Sequence, residues 1–306
     1  MLLFLFFYIF LFFIAIAFIV GIVLIAVFVH KKNVENYKQT DYYQDTQREY
    51  SETFHNKGNY GEYMLYNYVQ KYVSEGAKLI FNCYLPKDNG ETTEVDMIML
   101  HSSGIYVFES KNYSGWIFGS EYQNNWTQTF QGGRRGAIKE HFFNPVIQNK
   151  VHIKWIENIL GEGKPIYSVI VFSERCTLQE INISSSDIYV VKRNELTRCI
   201  DDIKARKGLV LSDYLIQYYY DLLHPYSIVD KDTKDRHINK IKEREMNNII
   251  ADAQINAQIR AGDKDNLRCP RCGGKLVLRT AQRGAHAGNQ FYGCSNYPNC
   301  KFVKNI

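Results

Sequence analysis

Two absences divide this chain. No charged residue occurs between Leu2 and Val29, and no Asp or Glu occurs between Leu267 and Ile306. The first absence argues against a soluble N-terminal helix. A helix of about 28 residues is about 42 Å long, more than the roughly 30 Å hydrocarbon core of a bilayer, so it can span with tilt. A cleaved signal peptide is not expected either. It needs a basic leader and a shorter apolar core, whereas Met1 leads directly into Leu2-Leu3-Phe4. Paired cysteines are lacking as well. Of seven, Cys83, Cys176 and Cys199 are scattered and Cys269, Cys272, Cys294 and Cys300 cluster. An odd total with one tight cluster fits reduced thiols plus a metal site better than a disulfide framework. The chain shows no internal repeat.

The second absence concentrates charge. Arg268, Arg271, Lys275, Arg279, Arg283, Lys301 and Lys304 all lie in the acid-free tail, and without them 30 basic residues face 32 acidic ones. The whole basic excess therefore sits in one small module, which suggests a polyanion partner. At the other end, His30-Lys31-Lys32 follow the apolar run. Flanking cations prefer the cytoplasmic side, so everything after Val29 is expected in the cytoplasm.

Between these ends the patterning predicts residues 1–32 as anchor and basic flank, 33–57 as a polar juxtamembrane linker and 58–223 as one α/β domain. A charged, partly helical connector at 224–266 and the tail at 267–306 follow. A first helix is expected near Tyr60-Gly61-Glu62, with Met64, Leu65, Tyr68, Val69, Tyr72 and Val73 at helical spacing. Strands are expected at 78–84, 94–100, 105–111, 116–118, 126–130, 166–172 and 188–191. Asn144-Pro145 reads as a helix start and Gly161 as its stop, and further helices are expected near 195–204 and 212–223. That order suggests a mixed sheet flanked by helices. Trp116 and Trp126 read as core residues.

His101-Ser102-Ser103-Gly104 reads as a hairpin loop. A turn centred between Ser102 and Ser103 pairs 100 with 105 and 98 with 107, and sets Asp96 opposite Glu109. Lys111 then projects from the same face as Glu109, opposite Glu94. Two opposed carboxylates in apolar strands repel and lose hydration. A divalent cation such as Mg²⁺ or Mn²⁺ would compensate, and Glu109→Gln would then stabilise the metal-free chain. From spacing alone, a surface ladder in which both carboxylates meet water stands equally beside that site. Gln148 and His152 lie one helical turn apart. They read either as positioning groups for a phosphate or water, or as two satisfied core polar groups. The loop Gly132-Gly133-Arg134-Arg135-Gly136 reads as a basic solvated loop or a phosphate contact.

The run Thr93-Glu94-Val95-Asp96, then Gly104-Ile105-Tyr106-Val107-Phe108-Glu109-Ser110-Lys111-Asn112 and Gly115, resembles the nuclease-related domain called NERD. Gly61-Glu62 upstream and Asn144-Pro145, Gln148-Asn149 and His152 downstream match the same family. The resemblance covers about Asn56 to Phe172. It implies a restriction-endonuclease-like α/β fold and a metal-dependent phosphodiesterase. Asp96 and Glu109 would ligate Mg or Mn, with the Ser110 carbonyl completing the shell. Lys111 would orient or deprotonate the attacking water and stabilise the developing charge. Glu62 would be the extra carboxylate, bound directly or through water, unless it is simply a helix N-terminal Glu. Gln148 completes the candidate catalytic set.

In the tail, Cys269-Pro-Arg-Cys272-Gly-Gly is a knuckle, and Cys294 with Cys300 supplies the second pair. Four thiolates favour tetrahedral, structural zinc, and a module this small needs the metal in order to fold. His286 is a spare donor beside a complete set. The tail resembles the C-terminal zinc finger of type IA topoisomerases, which implies DNA contact through Arg271, Lys275, Arg279, Arg283 and Lys301. Phe291, Tyr292, Tyr297 and Phe302 read either as base-stacking rings or as the small core of the ribbon. The combined expectation is a membrane-anchored nuclease whose ribbon binds DNA. The alternative is a non-catalytic, membrane-tethered DNA-binding or scaffold protein.

Overall fold

An unbroken run of apolar side chains makes helix α1, Leu2–Lys38. Its rings and aliphatic chains, Phe10, Phe18, Ile25 and Phe28 among them, are exposed, and by length and composition the helix can cross a membrane. The computed structural model describes residues 2–132, 136–260, 267–282 and 290–305. Contacts divide the chain into residues 1–229 and residues 230–306.

The expected linker at 33–57 is folded. After α1 come α2, Asp41–Thr46, and α3, Tyr50–His55. Tyr37, Tyr42 and Thr53 are fully or almost fully buried. Tyr37 meets Tyr42, Tyr43, Tyr50, Phe54 and Tyr63 edge-on or tilted, at centroid distances of 5.4–6.5 Å. The segment looked polar because its apolar surface is carried by tyrosine. Buried rings with their hydroxyls satisfied pack as well as aliphatic chains, and Tyr37 Oη donates to the Arg48 carbonyl at 2.8 Å.

Helix α4, Lys57–Val69, starts three residues before Tyr60, because Asn56 caps the N–H groups of Gly58 and Asn59. Glu62 is thus in the second turn. Strands β1 (Lys78–Pro86), β2 (Thr92–His101) and β3 (Gly104–Lys111) form an antiparallel meander. β4 (Gly115–Ser120), β5 (Asn125–Gln131) and β6 (Ala137–Phe143) form a second one. Helix α5, Pro145–Leu160, is capped by Asn144. It leads into β7 (Ile166–Phe172), β8 (Cys176–Asn182), β9 (Ile188–Lys192), α6 (Leu196–Lys207) and α7 (Asp213–Leu223).

The main sheet has the order β1-β2-β3-β7-β9, with β3, β7 and β9 parallel. The second sheet runs β6-β5-β4-β8. The fold is mixed α/β with helices on both faces of the main sheet. α4 and α6 cover one face, packing Leu65, Val69, Ile200 and Ile203 on Met97, Met99 and Phe108. α5 and α7 cover the other, packing Ile156, Leu160, Ile216 and Leu223 on Ile98, Val107 and Ile105. Strands β6 and β8 were not expected. Both are largely exposed, so neither carries the alternation of a half-buried strand. Trp126 is fully buried, but Trp116 is 41% exposed and is no core residue.

One residue positions the site. On β1, Leu79 and Phe81 face the α4 side, yet Cys83 and Leu85, of the same parity, face the α5 side. Between them Asn82 adopts φ +48°, in the left-handed region that Asn tolerates better than most residues. β2 turns over with it, Met97 facing one way and Val95 the other. Pairing runs Phe81 with Met97 and Cys83 with Val95 and skips the rung between, Asn82 with Asp96.

Residues 230–306 contain α8, Lys231–Arg260, and a three-stranded sheet of β10 (Leu276–Thr280), β11 (Gln290–Cys294) and β12 (Val303–Asn305). The connector is thus helical over most of its length. β12, unexpected at three residues, pairs with β11. Gly133, Arg134, Arg135, Arg283 and His286, read above as loop, DNA-contact or spare-donor residues, lie outside the described residues.

Candidate active site

The hairpin register is the expected one as far as it goes: Leu100 pairs with Ile105, Ile98 with Val107 and Met97 with Phe108. The rung of Asp96 and Glu109 is not made. Asp96 Oδ2 accepts the Ser110 N–H at 2.7 Å, so a side chain takes the donor that the ladder would use and the strands part at the carboxylates. On the other edge of β3, the Lys111 carbonyl accepts the Ser173 N–H at 3.0 Å. Alternation of peptide groups along a strand then turns the Ser110 carbonyl toward the Asp96 side.

Glu109 is buried at 1% exposure. Its Oε1 accepts from Lys111 Nζ at 2.6 Å, and its Oε2 lies 3.2 Å from His152 Nε2. Lys111 Nζ also donates to Gln148 Oε1 at 3.2 Å. The other ring nitrogen of His152 is 2.9 Å from Thr93 Oγ1. Helix α5 therefore aims Gln148 and His152 at the hairpin, as their shared face requires. Asn149, between them, donates to the Val107 carbonyl and to Ser168 Oγ, tying α5 to β3 and β7. Lys111 pairs with Glu109 and not, as the simple ladder suggested, with Glu94.

The two carboxylates differ electrically. Burial and the charges of Glu109 and Glu62 hold the Asp96 carboxyl well above the usual carboxylate range. Burial also acts to raise Glu109, but Lys111 and His152 outweigh it and hold that carboxyl below its ordinary value. For Lys111, burial favours the neutral amine, and the negative charges of Glu109 and Asp96 reverse this, so its pKa is raised. Glu109 is thus already balanced by partners and Asp96 is not. The expectation that Glu109→Gln would stabilise the chain is reversed in sign, because it would strip the partner from a largely buried ammonium.

A second group of residues escaped the sequence reading. Glu62 is held by an ion pair with Arg48, and its Oε2 accepts from Asn82 Nδ2 at 2.9 Å. Arg48 also lies 3.9 Å from Glu94, which accepts from Tyr84 Oη at 2.7 Å and from Asn82 Nδ2 at 3.3 Å. Asn82 Oδ1 is buried without a protein partner. An Asn within an apolar strand was a readable signal. Arg48 was not, because it comes from the segment taken as linker. Glu62 stands near Asp96 electrically, yet its carboxylate is committed to Arg48 and Asn82.

In the tail, the four cysteine sulfurs all lie within 4.8 Å of one another, and three of the four residues are buried. The Cys269–Cys300 and Cys272–Cys294 sulfur pairs are 3.7 and 3.4 Å apart. Zn–S bonds of about 2.3 Å in a tetrahedron require sulfurs about 3.8 Å apart, so the set fits one zinc ion. The Asn296 N–H and side-chain amide approach the sulfurs of Cys294 and Cys272 at 3.4 and 3.5 Å. Among the described residues, no other three or more Cys, His, Asp or Glu side chains converge in this way. Arg271, Lys275, Arg279 and Lys301 are exposed around the centre. Tyr292 and Phe302 pack on the buried cysteines, while Tyr297 is 62% exposed.

Comparison with known proteins agrees with this division. Residues 57–173 match the family described as nuclease-related domain, NERD. Residues 267–306 match the family described as topoisomerase DNA binding C4 zinc finger. An uncharacterized protein of Bacillus anthracis is 31% identical over 188 residues, 61% of this chain and 85% of that protein. DNA topoisomerase 1 of Methanocaldococcus jannaschii is 45% identical over 49 residues, 16% of this chain and 6% of the enzyme. That of Archaeoglobus fulgidus is 44% identical over 53 residues, 16% and 7%. Likeness to the topoisomerases is confined to that small fraction of their length. No solved structure gives a significant match. The chain belongs to the proteins of the nuclease-related domain, NERD, and ends in a C4 zinc ribbon of the topoisomerase type.

Proposed function

We propose that this protein is a metal-dependent nuclease held at the membrane by α1, with its ribbon binding DNA. The observation that carries the reading is the break in the hairpin ladder. There Asp96, Glu109, the Ser110 carbonyl and Lys111 gather, backed by Gln148 and His152. Residues 1–32 anchor, 58–223 carry the hydrolytic site, 224–266 space it, and 267–306 engage nucleic acid through Arg271, Lys275, Arg279, Arg283 and Lys301.

The donor set fits a divalent cation, since burial and the charges of Glu109 and Glu62 oppose the ionised form of Asp96 and a cation would relieve that opposition. Asp96, Glu109 and the Ser110 carbonyl would hold Mg²⁺ or Mn²⁺, which would supply Lewis-acid activation of phosphate and water. Lys111, whose pKa is raised by Glu109 and Asp96 in the metal-free chain, orients the attacking water and stabilises the developing phosphorane charge. His152 and Gln148 hold Glu109 and Lys111 in place. Glu62, paired with Arg48, acts on the site through Asn82 and through its charge.

The test uses the full chain in detergent micelles with labelled DNA and RNA, in Mg²⁺, Mn²⁺ or EDTA. Metal-dependent cleavage that Lys111→Ala abolishes is the expected result, and cleavage by no metal would sink the proposal. Orientation has its own test: a membrane-impermeant thiol reagent should leave the exposed position of an Asn239→Cys variant unlabelled in intact cells, and labelling from outside would reverse it. The rival reading, a non-catalytic DNA-docking protein, draws on the pairing of Glu109 and Glu62 with protein cations. It gains if the wild type binds DNA through the ribbon and cleaves nothing.

A further inference from the structure

A cavity of about 220 Å³ opens where α3 meets α4, at the carboxyl ends of β3, β7 and β9. Lys57, Arg175 and Arg193 line it, together with Asn112, Tyr60 and Glu174. Asn112 directly follows Lys111 in the chain. It is the organiser: its Nδ2 donates to the Lys57 carbonyl at 2.7 Å, and its Oδ1 accepts from Arg175 Nη2 at 2.9 Å and Arg193 Nη2 at 3.5 Å. Arg193 is only 2% exposed, and its Nη1 reaches the Gly61 carbonyl at 3.4 Å. Glu174 opposes an anion, but its carboxylate is bound by Arg193 Nε at 2.9 Å. Three cations thus face one already paired carboxylate. Gly61 brings the wall close to the catalytic strand. A Cβ there would stand 2.9 Å from Asn112 Cβ and 3.2 Å from Ser110 Oγ, so only glycine lets α4 approach.

We propose that this cavity is a phosphate subsite for the nucleic-acid strand, at the end of the strand that carries Lys111 but on the α4 face of the sheet. The inference rests on the nuclease reading for its choice of ligand. Its size supports a strand over a free metabolite: pockets that enclose a whole small molecule run to roughly 300–1,000 Å³, whereas this one has room for a backbone phosphate and part of its sugar. Its position also fits, since ligands of open α/β sheets bind at the carboxyl ends of the strands. Lys57 and Arg175 supply the exposed charge, and buried Arg193 fixes the wall.

The test separates binding from cleavage. A labelled single-stranded oligonucleotide is titrated against the zinc-loaded full chain in micelles, without Mg²⁺ or Mn²⁺, over a range of salt. Each phosphate contact contributes about 0.7 to the slope of log affinity against log salt. Lys57→Ala/Arg175→Ala should flatten that slope by about 0.7–1.4, while Lys57→Arg/Arg175→Lys, which keeps both charges, should restore it. An unchanged slope in the alanine variant overturns the subsite, even if the wild type cleaves. A flattened slope in a chain that cleaves nothing with Mg²⁺ or Mn²⁺ overturns the nuclease reading and leaves the subsite standing. If doping the micelles with phosphatidylserine erases the difference between wild type and alanine variant, lipid headgroups hold the cavity and the nucleic-acid assignment falls.

Discussion

The two charged centres of this protein are built on opposite principles. In the ribbon, four like groups from two short turns converge on one point, met among the described residues by amide N–H groups such as those of Asn296 and by no ion pair. In the hairpin, Glu109 is paired with Lys111 and His152 and Glu62 with Arg48 and Asn82, whereas Asp96 has the Ser110 N–H and no ion pair among the described residues. The ribbon centre is therefore a fold that needs its metal, and the hairpin centre is a fold that stands without one. A structural metal must be bound for the module to exist, whereas a catalytic site has to remain assembled while its ion and substrate come and go.

Removing a ligand from the first centre tests this contrast at its strongest. Cys294→Ser leaves three thiolates for a site whose zinc supplies about 10–16 kcal/mol of apparent folding energy in zinc-finger peptides. The expected outcome is loss of about one zinc per chain and of the folded ribbon, with the unit at 1–229 unchanged in its unfolding transition. Zinc analysis with calorimetry of the full chain reads both. A wild type without zinc, or a variant that keeps it, would break the comparison.

Next in size is Glu109→Gln. The amide keeps volume but leaves Lys111 a largely buried ammonium without its carboxylate, and breaking a buried pair from one side costs about 3–5 kcal/mol. The metal-free variant should unfold at lower denaturant concentration than the wild type and should not cleave. A variant as stable as the wild type would mean that Glu109 is not balanced by its neighbours.

Much of the fold was readable because it is written in short-range signals. The apolar run of α1, the Asn144-Pro145 start of α5, the buried β7 and the Ser102-Ser103 turn each follow from adjacent residues. So does the cysteine cluster, where the chemistry of four thiolates over-determines the answer. The hairpin was legible in its register, and the pair Gln148 and His152 in its helical face. What stayed hidden depends on partners distant in sequence or on hydroxyl-bearing rings. Tyr37, Tyr42 and Tyr50 build a core out of a stretch that scores as polar, and that core carries Arg48 to Glu62. The inversion at Asn82 flips two strands at once, which no period-two pattern foresees. The sign expected for Glu109→Gln turns on Lys111, whose side chain folds back onto Glu109 instead of reaching Glu94, a choice that strand register does not fix.

Arg48 sharpens the contrast from the side of the membrane-proximal segment. Arg48→Ala removes the cation from Glu62 and Glu94 and leaves both carboxylates part-buried. The side chain is 18% exposed, so solvent offsets some of the loss, and the cost belongs toward the lower end of about 3–5 kcal/mol. A divalent ion should then recover more stability in the variant than in the wild type, because it finds an uncompensated Glu62. Thermal unfolding with and without Mn²⁺ measures this. An equal metal-induced shift in both proteins would show that Glu62 is remote from the ion.

The smallest effect has the opposite sign, which makes it the cleanest probe. Burial and the charges of Glu109 and Glu62 oppose the ionised form of Asp96, as burial and Glu62 do that of Glu94, which has Arg48 and Tyr84 beside it. A carboxyl whose folded pKa lies above its unfolded value destabilises the fold at any pH where the unfolded group is ionised. That penalty is full above the folded pKa, shrinks as pH falls through it, and vanishes below the unfolded pKa of about 3.9. Asp96→Asn should therefore raise the metal-free unfolding midpoint at neutral pH. The gain should disappear toward pH 4, where the wild-type carboxyl is itself protonated. The asparagine oxygen can still accept the Ser110 N–H, so the local geometry survives, and the new amide hydrogens, which need partners, keep the gain modest. Metal should reverse the order, stabilising the wild type through Asp96 and the variant hardly at all. A variant less stable than the wild type without metal at pH 7 would mean that Asp96 is a structural carboxylate already satisfied by the fold, and the hairpin would lose its claim to the ion.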